Sequence, residues 1–265
     1  MRPVDEALVK AALTGDLNEV HALIDKGADV KATTEEGYTA LYAAAQSNHR
    51  EIVVLLLERG ADVGHTTSSG TTALLIAAQK GNLEIVTLLL ANGANVGQAT
   101  PKGATPLYIA AQNGHREVVA LLLEKGASVN QADNEGVSPL MIAARYGHRE
   151  VVALLLQQKG AVNQITQDGR TSLYLATLNG HQDVVALLLD KGAVTSQADQ
   201  DGATPLHLAA QNGHRDIAAL IVEKGADMKA RTKEEGSTTL MIASQNGHHG
   251  VVALLLKKEA DIAKR

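Results

Sequence analysis

The sequence predicts an all-α repeat solenoid made of helix–turn–helix–finger units, and three recurrences predict it. Glycine returns at Gly37, Gly70, Gly103, Gly136, Gly169 and Gly202, each 33 residues after the last, and at Gly236 after 34. A hydroxyl residue follows each glycine closely, at Thr39, Thr72, Thr105, Ser138, Thr171, Thr204 and Thr238. A histidine opens the second half of most units, at His49, His115, His148, His181, His214 and His248. A fixed period of this size means that each unit can bury its apolar face only against its neighbours.

The stretch from Gly103 to Gly136 justifies the elements in order. Thr105 is a good N-cap, and Pro106 suits the first helical position, where a missing N–H costs nothing. Leu107, Ala110 and Ala111 then form a narrow apolar stripe with room for a close neighbour. Gly114 ends this helix in a place that favours a left-handed cap. A second helix starts near His115 and carries Val118, Val119, Leu121, Leu122 and Leu123. Its wider apolar face predicts the outer, more deeply packed helix of the pair. Gly126 stops it, and the polar stretch up to Gly136 is long enough for a hairpin-like finger.

The run Thr204-Pro205-Leu206-His207-Leu208-Ala209-Ala210-Gln211-Asn212-Gly213-His214, followed by Lys224-Gly225-Ala226-Asp227, resembles the signature of the ankyrin repeat. The resemblance covers essentially the whole chain: a degenerate amino-terminal capping repeat over 1–34 and seven full repeats over 35–265, in one domain. It implies a curved array with a concave binding side. In that family a histidine in the fourth place of the Thr-Pro-Leu-His motif ties helix to finger. Here only His207 keeps it; Tyr42, Leu75, Tyr108, Met141, Tyr174 and Met241 replace it elsewhere. The tyrosines read as half-buried structure, and loss of the polar tie predicts looser fingers.

Departures from the pattern carry expectations of their own. The first unit places Asp5, Glu6, Lys10, Asp16, Glu19, Asp25 and Lys26 between its apolar positions, as the polar outer face of a solenoid end requires. The last repeat is a weaker cap, because Val251-Val252-Ala253-Leu254-Leu255-Leu256 is as apolar as any interior copy. Its edge is tolerated, the chain continues, or something docks there. Asn48 replaces an interhelical glycine, and Asn tolerates left-handed geometry. Gly160 comes 34 residues after Gly126, which predicts a slightly long second helix and a shortened finger. The finger before Gly236 gains a residue within 229–235.

Composition excludes more than it assigns. Cysteine is absent, so disulfides and thiolate chemistry are excluded. The formal charge of −5 argues against nucleic acid as partner. No run reaches the roughly 18 apolar residues of a membrane helix. The acids Asp5 and Glu6 stand where a secretory signal would need an apolar run, so the reading is a cytoplasmic, monomeric chain with no membrane partner. Histidines spaced by the stack cannot converge on one metal ion. No nucleophile–base pairing and no phosphate-binding motif stand out, so neither enzymatic activity nor a cofactor is expected.

What remains is recognition. Residues flanking each finger-tip glycine, and the pair before each interhelical glycine, have no structural duty on this reading. From them the candidate contacts are Tyr38, Lys80, Gln112, Asn113, Val137, Arg145, Tyr146, Arg170, Leu178 and Asn179. Gln-Asn is the recurrent filler before the interhelical glycine, and Arg145-Tyr146 and Leu178-Asn179 break it in the fourth and fifth repeats. Tyr and Arg are enriched at binding hot spots, whereas drift at a solvated position is the bland alternative. Acidic finger tips favour a basic partner. The expected function is a non-catalytic scaffold that binds a protein or peptide partner. The alternatives are the interaction portion of a larger enzyme or host-directed effector, or an engineered repeat scaffold.

Overall fold

The computed structural model describes residues 2–263, which form sixteen α-helices and, among the described residues, no β-strand. The first unit, Met1–Asn134, holds α1 (Pro3–Thr14), α2 (Leu17–Asp25), α3 (Ala40–Gln46), α4 (Arg50–Glu58), α5 (Ala73–Lys80), α6 (Leu83–Ala91), α7 (Pro106–Gln112) and α8 (Arg116–Glu124). Helices α1, α3, α5 and α7 pack side by side in chain order, each also against the helix that follows it. The second unit, Glu135–Arg265, repeats this with α9 (Pro139–Arg145), α10 (Arg149–Gln157), α11 (Ser172–Leu178), α12 (Gln182–Asp190), α13 (Pro205–Gln211), α14 (Arg215–Glu223), α15 (Thr239–Gln245) and α16 (His249–Ala263). There α9, α11, α13 and α15 form the inner succession.

The hydroxyl signal is the helix start it was expected to be. Thr39, Thr72, Thr105, Ser138, Thr171 and Thr238 each accept a bond from the backbone N–H three residues on. Such a cap satisfies one of the orphan donors of the first turn. Thr204 differs: its N–H donates to Nδ1 of His207 at 3.1 Å, and its hydroxyl lies 2.9 Å from the same nitrogen. Nε2–H of His207 then donates to the carbonyl of Ala230 in the finger, 3.1 Å away.

The depth of packing is the reverse of the expectation. Every residue of α3 from Ala40 to Ala45 is buried, whereas α8 buries only Val118, Val119 and Leu122. Helices α3, α5, α11 and α13 each lie between two other first helices and rest on their own second helix. Alanines let these neighbours approach closely. The second helix keeps one face in water, so its extra leucines are half-buried.

Layers are tied by polar bonds as well as by packing. In the first unit, Nε2–H of His49 donates to the carbonyl of Leu13 at 3.1 Å, and that of His115 to Gln79 at 2.9 Å. In the second, His181 donates to Arg145 and His248 to Gln211. Finger tips are joined through the backbone: Ser68 N–H to Glu36 and Asn134 N–H to Lys102 in the first unit. The second has Gln167 to Glu135, Gln200 to Asp168 and Lys233 to Asp201. The ladder skips the third finger, where Pro101 has no N–H and packs against Gly70 instead.

The irregular units resolve unevenly. Asn48 takes the left-handed backbone, with φ 62°, as expected. The extra residue before Gly236 lies in the finger tip: the closing bond runs from Thr232 N–H to Ser237, five residues apart, where other fingers span four. The expectation of a long fourth second helix is corrected, because α10 has nine residues like α8 and α12. The left-handed turn after it falls on Lys159, with φ 65°, and not on Gly160. The apolar register of Val151, Val152 and Leu155 holds the helix end in place, so the turn stays in phase while the glycine is one residue late.

The first and last repeats carry corrections. Asp5 is not part of an outward polar face; it is 4% exposed, pairs with Arg2 at 2.7 Å and accepts the N–H of Asp29 at 2.9 Å. The Arg2 bond holds its carboxyl below the usual carboxylate range. In the last repeat α16 runs for 15 residues, because Glu259 stands where Gly225 follows α14. The last repeat leaves Met241 50% exposed, although Met141 at the equivalent place is fully buried.

Candidate functional site

The candidate residues are built by two local devices, the end of a first helix and the finger tip. In the first unit, Lys80 closes α5 and is exposed, while Gln112 closes α7 and Asn113 follows it. Nδ2 of Asn113 donates to the carbonyl of Ile109 at 2.8 Å, so this side chain caps the helix end. Tyr38 lies on the first finger with its ring stacked on that of Tyr42, centroids 5.0 Å apart. Tyr42 is buried, as expected of structure.

In the second unit the candidates separate into a frame and a surface. Val137 is half-buried against the cluster of Met141, Tyr174, Leu175 and Leu208. Arg170 lies 5.6 Å from the centroid of the Tyr174 ring and 3.8 Å from the carboxylate of Asp168. The phenol of Tyr174 donates to Oδ2 of Asp199 at 2.6 Å, and burial together with this bond pushes its pKa up. Asp199 also accepts the N–H groups of Asp201 and Ala203, which makes it the anchor of its finger. This finger therefore keeps a polar tie to the helix, contrary to the expected loosening. Nδ2 of Asn179 donates to Leu175 at 2.8 Å, the same cap as at Asn113.

Arg145, Tyr146 and Leu178 are the surface. Tyr146 is 48% exposed and Leu178 39%. The guanidinium of Arg145 lies 6.0 Å from the centroid of the Tyr146 ring, and that ring stacks on His148 at 6.4 Å. Arg145 and Leu178 are the last residues of α9 and α11, which pack side by side, and the bond from His181 to Arg145 joins the two helix ends. Arg145 sits at a helix C-terminus, where a cation is favoured.

The premise that both position sets have no structural duty is therefore corrected. Asn113 and Asn179 cap helices, and Ser68, Asn134 and Gln200 donate side-chain bonds across neighbouring fingers. An Asn preceding a Gly at a helix end is a capping signal, and it could have been read from the sequence. His148 stacks on Tyr146, and their spacing of two residues across a turn was the available sign.

The larger depressions lie elsewhere. One of about 610 Å³ is lined by Glu6, Thr33, Thr34, Glu35 and Glu36. Another of about 460 Å³ is lined by Arg50, Glu51, Glu84, Thr87 and Leu88, with Arg50 and Glu84 paired at 3.2 Å. Among the described residues no group of three His, Asp or Glu converges to hold a metal ion, and no helix is long and apolar enough to cross a membrane.

Comparison with known proteins agrees with this architecture. A family model described as ankyrin repeats in three copies matches residues 4–67, 62–133, 128–199 and 193–265. The search of curated proteins gives no match. Ankyrin repeats generally mediate protein–protein interaction. Matches that together span nearly the entire chain, over stacked helix pairs with linked fingers, show that this protein belongs to the ankyrin-repeat family.

Proposed function

We propose that this chain is a non-catalytic scaffold that holds a protein or peptide partner through the surface formed by Arg145, Tyr146 and Leu178. The supporting observation is a contrast between equivalent helix ends. Where other repeats place Gln112-Asn113, Gln211-Asn212 and Gln245-Asn246, these two repeats present a large apolar or aromatic side chain to water. An exposed Tyr–Arg pair on a rigid helix end is the composition of a binding hot spot. It loses little freedom on binding, because stacking and the helix end already hold it.

The test is quantitative affinity capture with the full chain and with the double variant Arg145→Gln, Tyr146→Asn, alongside a denaturant melt of both. The variant restores the filler, and the introduced asparagine can cap the helix as Asn113 and Asn179 do, so stability should change by less than about 0.5 kcal/mol. A partner that distinguishes the two should bind the variant weaker by about 2 kcal/mol or more. Equal capture by both proteins would move recognition away from this surface.

A further inference from the structure

We propose that the segment recognised at this surface carries a carboxylate beside a large apolar side chain, the carboxylate meeting Arg145 and the apolar group resting on Tyr146 and Leu178. This deepens the reading of the surface as a partner site and rests on it.

The charge state of the neighbourhood carries the inference. In the second unit, three finger acids have local occupations: Asp168 faces Arg170 at 3.8 Å, Asp199 holds Tyr174, and Glu235 accepts the hydroxyl of Ser237 at 3.3 Å. Arg170 is thereby partly neutralised, and Arg215 is paired with Asp216. The guanidinium of Arg145 has no carboxylate within pairing distance among the described residues, and the side chain is exposed. Its close companion is the ring of Tyr146, on the same exposed helix end.

An unpaired guanidinium offers a planar fork that fits a carboxylate in bidentate fashion. The apolar neighbours matter for its strength. A partner side chain seated on Tyr146 and Leu178 removes water from the flank of the ion pair, and desolvated charge pairs couple more strongly than exposed ones. A partner that placed Lys or Arg there would instead meet a like charge. The two requirements, acid and bulk, must therefore lie close together on the bound segment.

The experiment is selection of a displayed random peptide library on the immobilised full chain, with the Arg145→Gln, Tyr146→Asn variant as the counter-target. Enriched peptides should carry Asp or Glu within a few residues of Phe, Tyr, Trp, Leu or Met. A synthetic copy of an enriched peptide should bind Arg145→Glu weaker by about tenfold or more, and replacing its acid by Lys should recover binding to that variant. Peptides that need Tyr146 and Leu178 yet carry no acid, or that bind Arg145→Glu unchanged, would overturn the carboxylate and leave the docking surface standing. Enriched peptides that bind the double variant as tightly as the original chain would overturn both readings. Failure of any peptide to enrich on the original chain would overturn recognition of a continuous acidic segment.

Discussion

The imidazole of His115 lies against the α-carbon of Gly81, so close that a β-carbon there would stand 2.5 Å from Nδ1. The same contact joins Gly147 to His181 and Gly213 to His248, where the approach would be 2.6 Å. Gly81, Gly147 and Gly213 therefore each meet two demands, a left-handed backbone and room for the ring of the next layer. Asn48 meets only the first. In the layer that follows it, the histidine position is Asn82, whose Nδ2 donates to the carbonyl of Ala45 at 2.9 Å. The shorter amide keeps the bond between layers without requiring the space of a ring.

Gly81 and His115 should consequently behave as one coupled pair. Gly81→Asn alone keeps the backbone tolerable but drives Cβ into the ring, and should cost about 1–3 kcal/mol. Adding His115→Asn reproduces the Asn48–Asn82 arrangement and should recover part of that loss, a coupling of about 0.5–3 kcal/mol. Urea melts of the two single variants and the double variant give the cycle. Additive losses would mean that the ring moves aside freely.

Lys159 holds a left-handed backbone that a side chain disfavours by roughly 1–2 kcal/mol. Lys159→Gly relieves this and at the same time loosens the unfolded chain, so the net gain should be about 0.5–1 kcal/mol. The gain should appear as a higher denaturant midpoint at unchanged slope. Gly160→Ala should be unfavourable on its own, since its β-carbon would meet the Leu155 carbonyl at 2.8 Å.

These two sites mark how far the fold could be read from residue order. The period and the lengthened seventh finger follow from comparing one repeat with the next, and the hydroxyl caps and the left-handed Asn48 follow from local chemistry. The turn at Lys159 does not, because its place is decided by the packing of Val152 and Leu155 and not by the nearest glycine. Burial of Asp5 likewise depends on Arg2 and on the N–H of Asp29, partners set by the helix pair and not by proximity alone. The candidate surface was legible as a break in the Gln-Asn filler. Its division into a frame (Val137, Arg170, Asn179) and an exposed part (Arg145, Tyr146, Leu178) required knowing which side chains bond to helix ends and rings.

The bond between Tyr174 and Asp199 gives the fifth repeat its tie to the finger. Tyr174→Phe leaves the ring in place and one carboxylate oxygen of a buried aspartate without its donor. Loss of a hydrogen bond to a charged group costs about 1.5–3 kcal/mol, and the melt should show a loss of this size. Amide exchange of Ala203 should quicken at the same time, since its N–H is bonded to the same carboxylate. A neutral substitution would mean that water replaces the phenol without cost.

His207 couples stability to pH, and the sign follows from its surroundings. Burial holds its pKa below the ordinary value, and this outweighs the carbonyl of Ala230 and the more distant Asp199 and Asp227, which favour the charged form. With the folded pKa depressed, the unfolded chain takes up the proton first as the solution is acidified, near about pH 6.5. The contribution is therefore fully present above that pH and is lost as pH falls from there toward the folded pKa. Nδ1 must also stay unprotonated to accept the N–H of Thr204, so protonation removes a cap as well as charging a buried ring. Melts at about pH 7.5 and about pH 5.5 should show a smaller stability difference for His207→Gln than for the original chain. The other histidines are common to both proteins, so the difference between the two slopes isolates this residue. Parallel slopes would mean that the ring is protonated in place, with the Ala230 carbonyl and the two aspartates holding the cation.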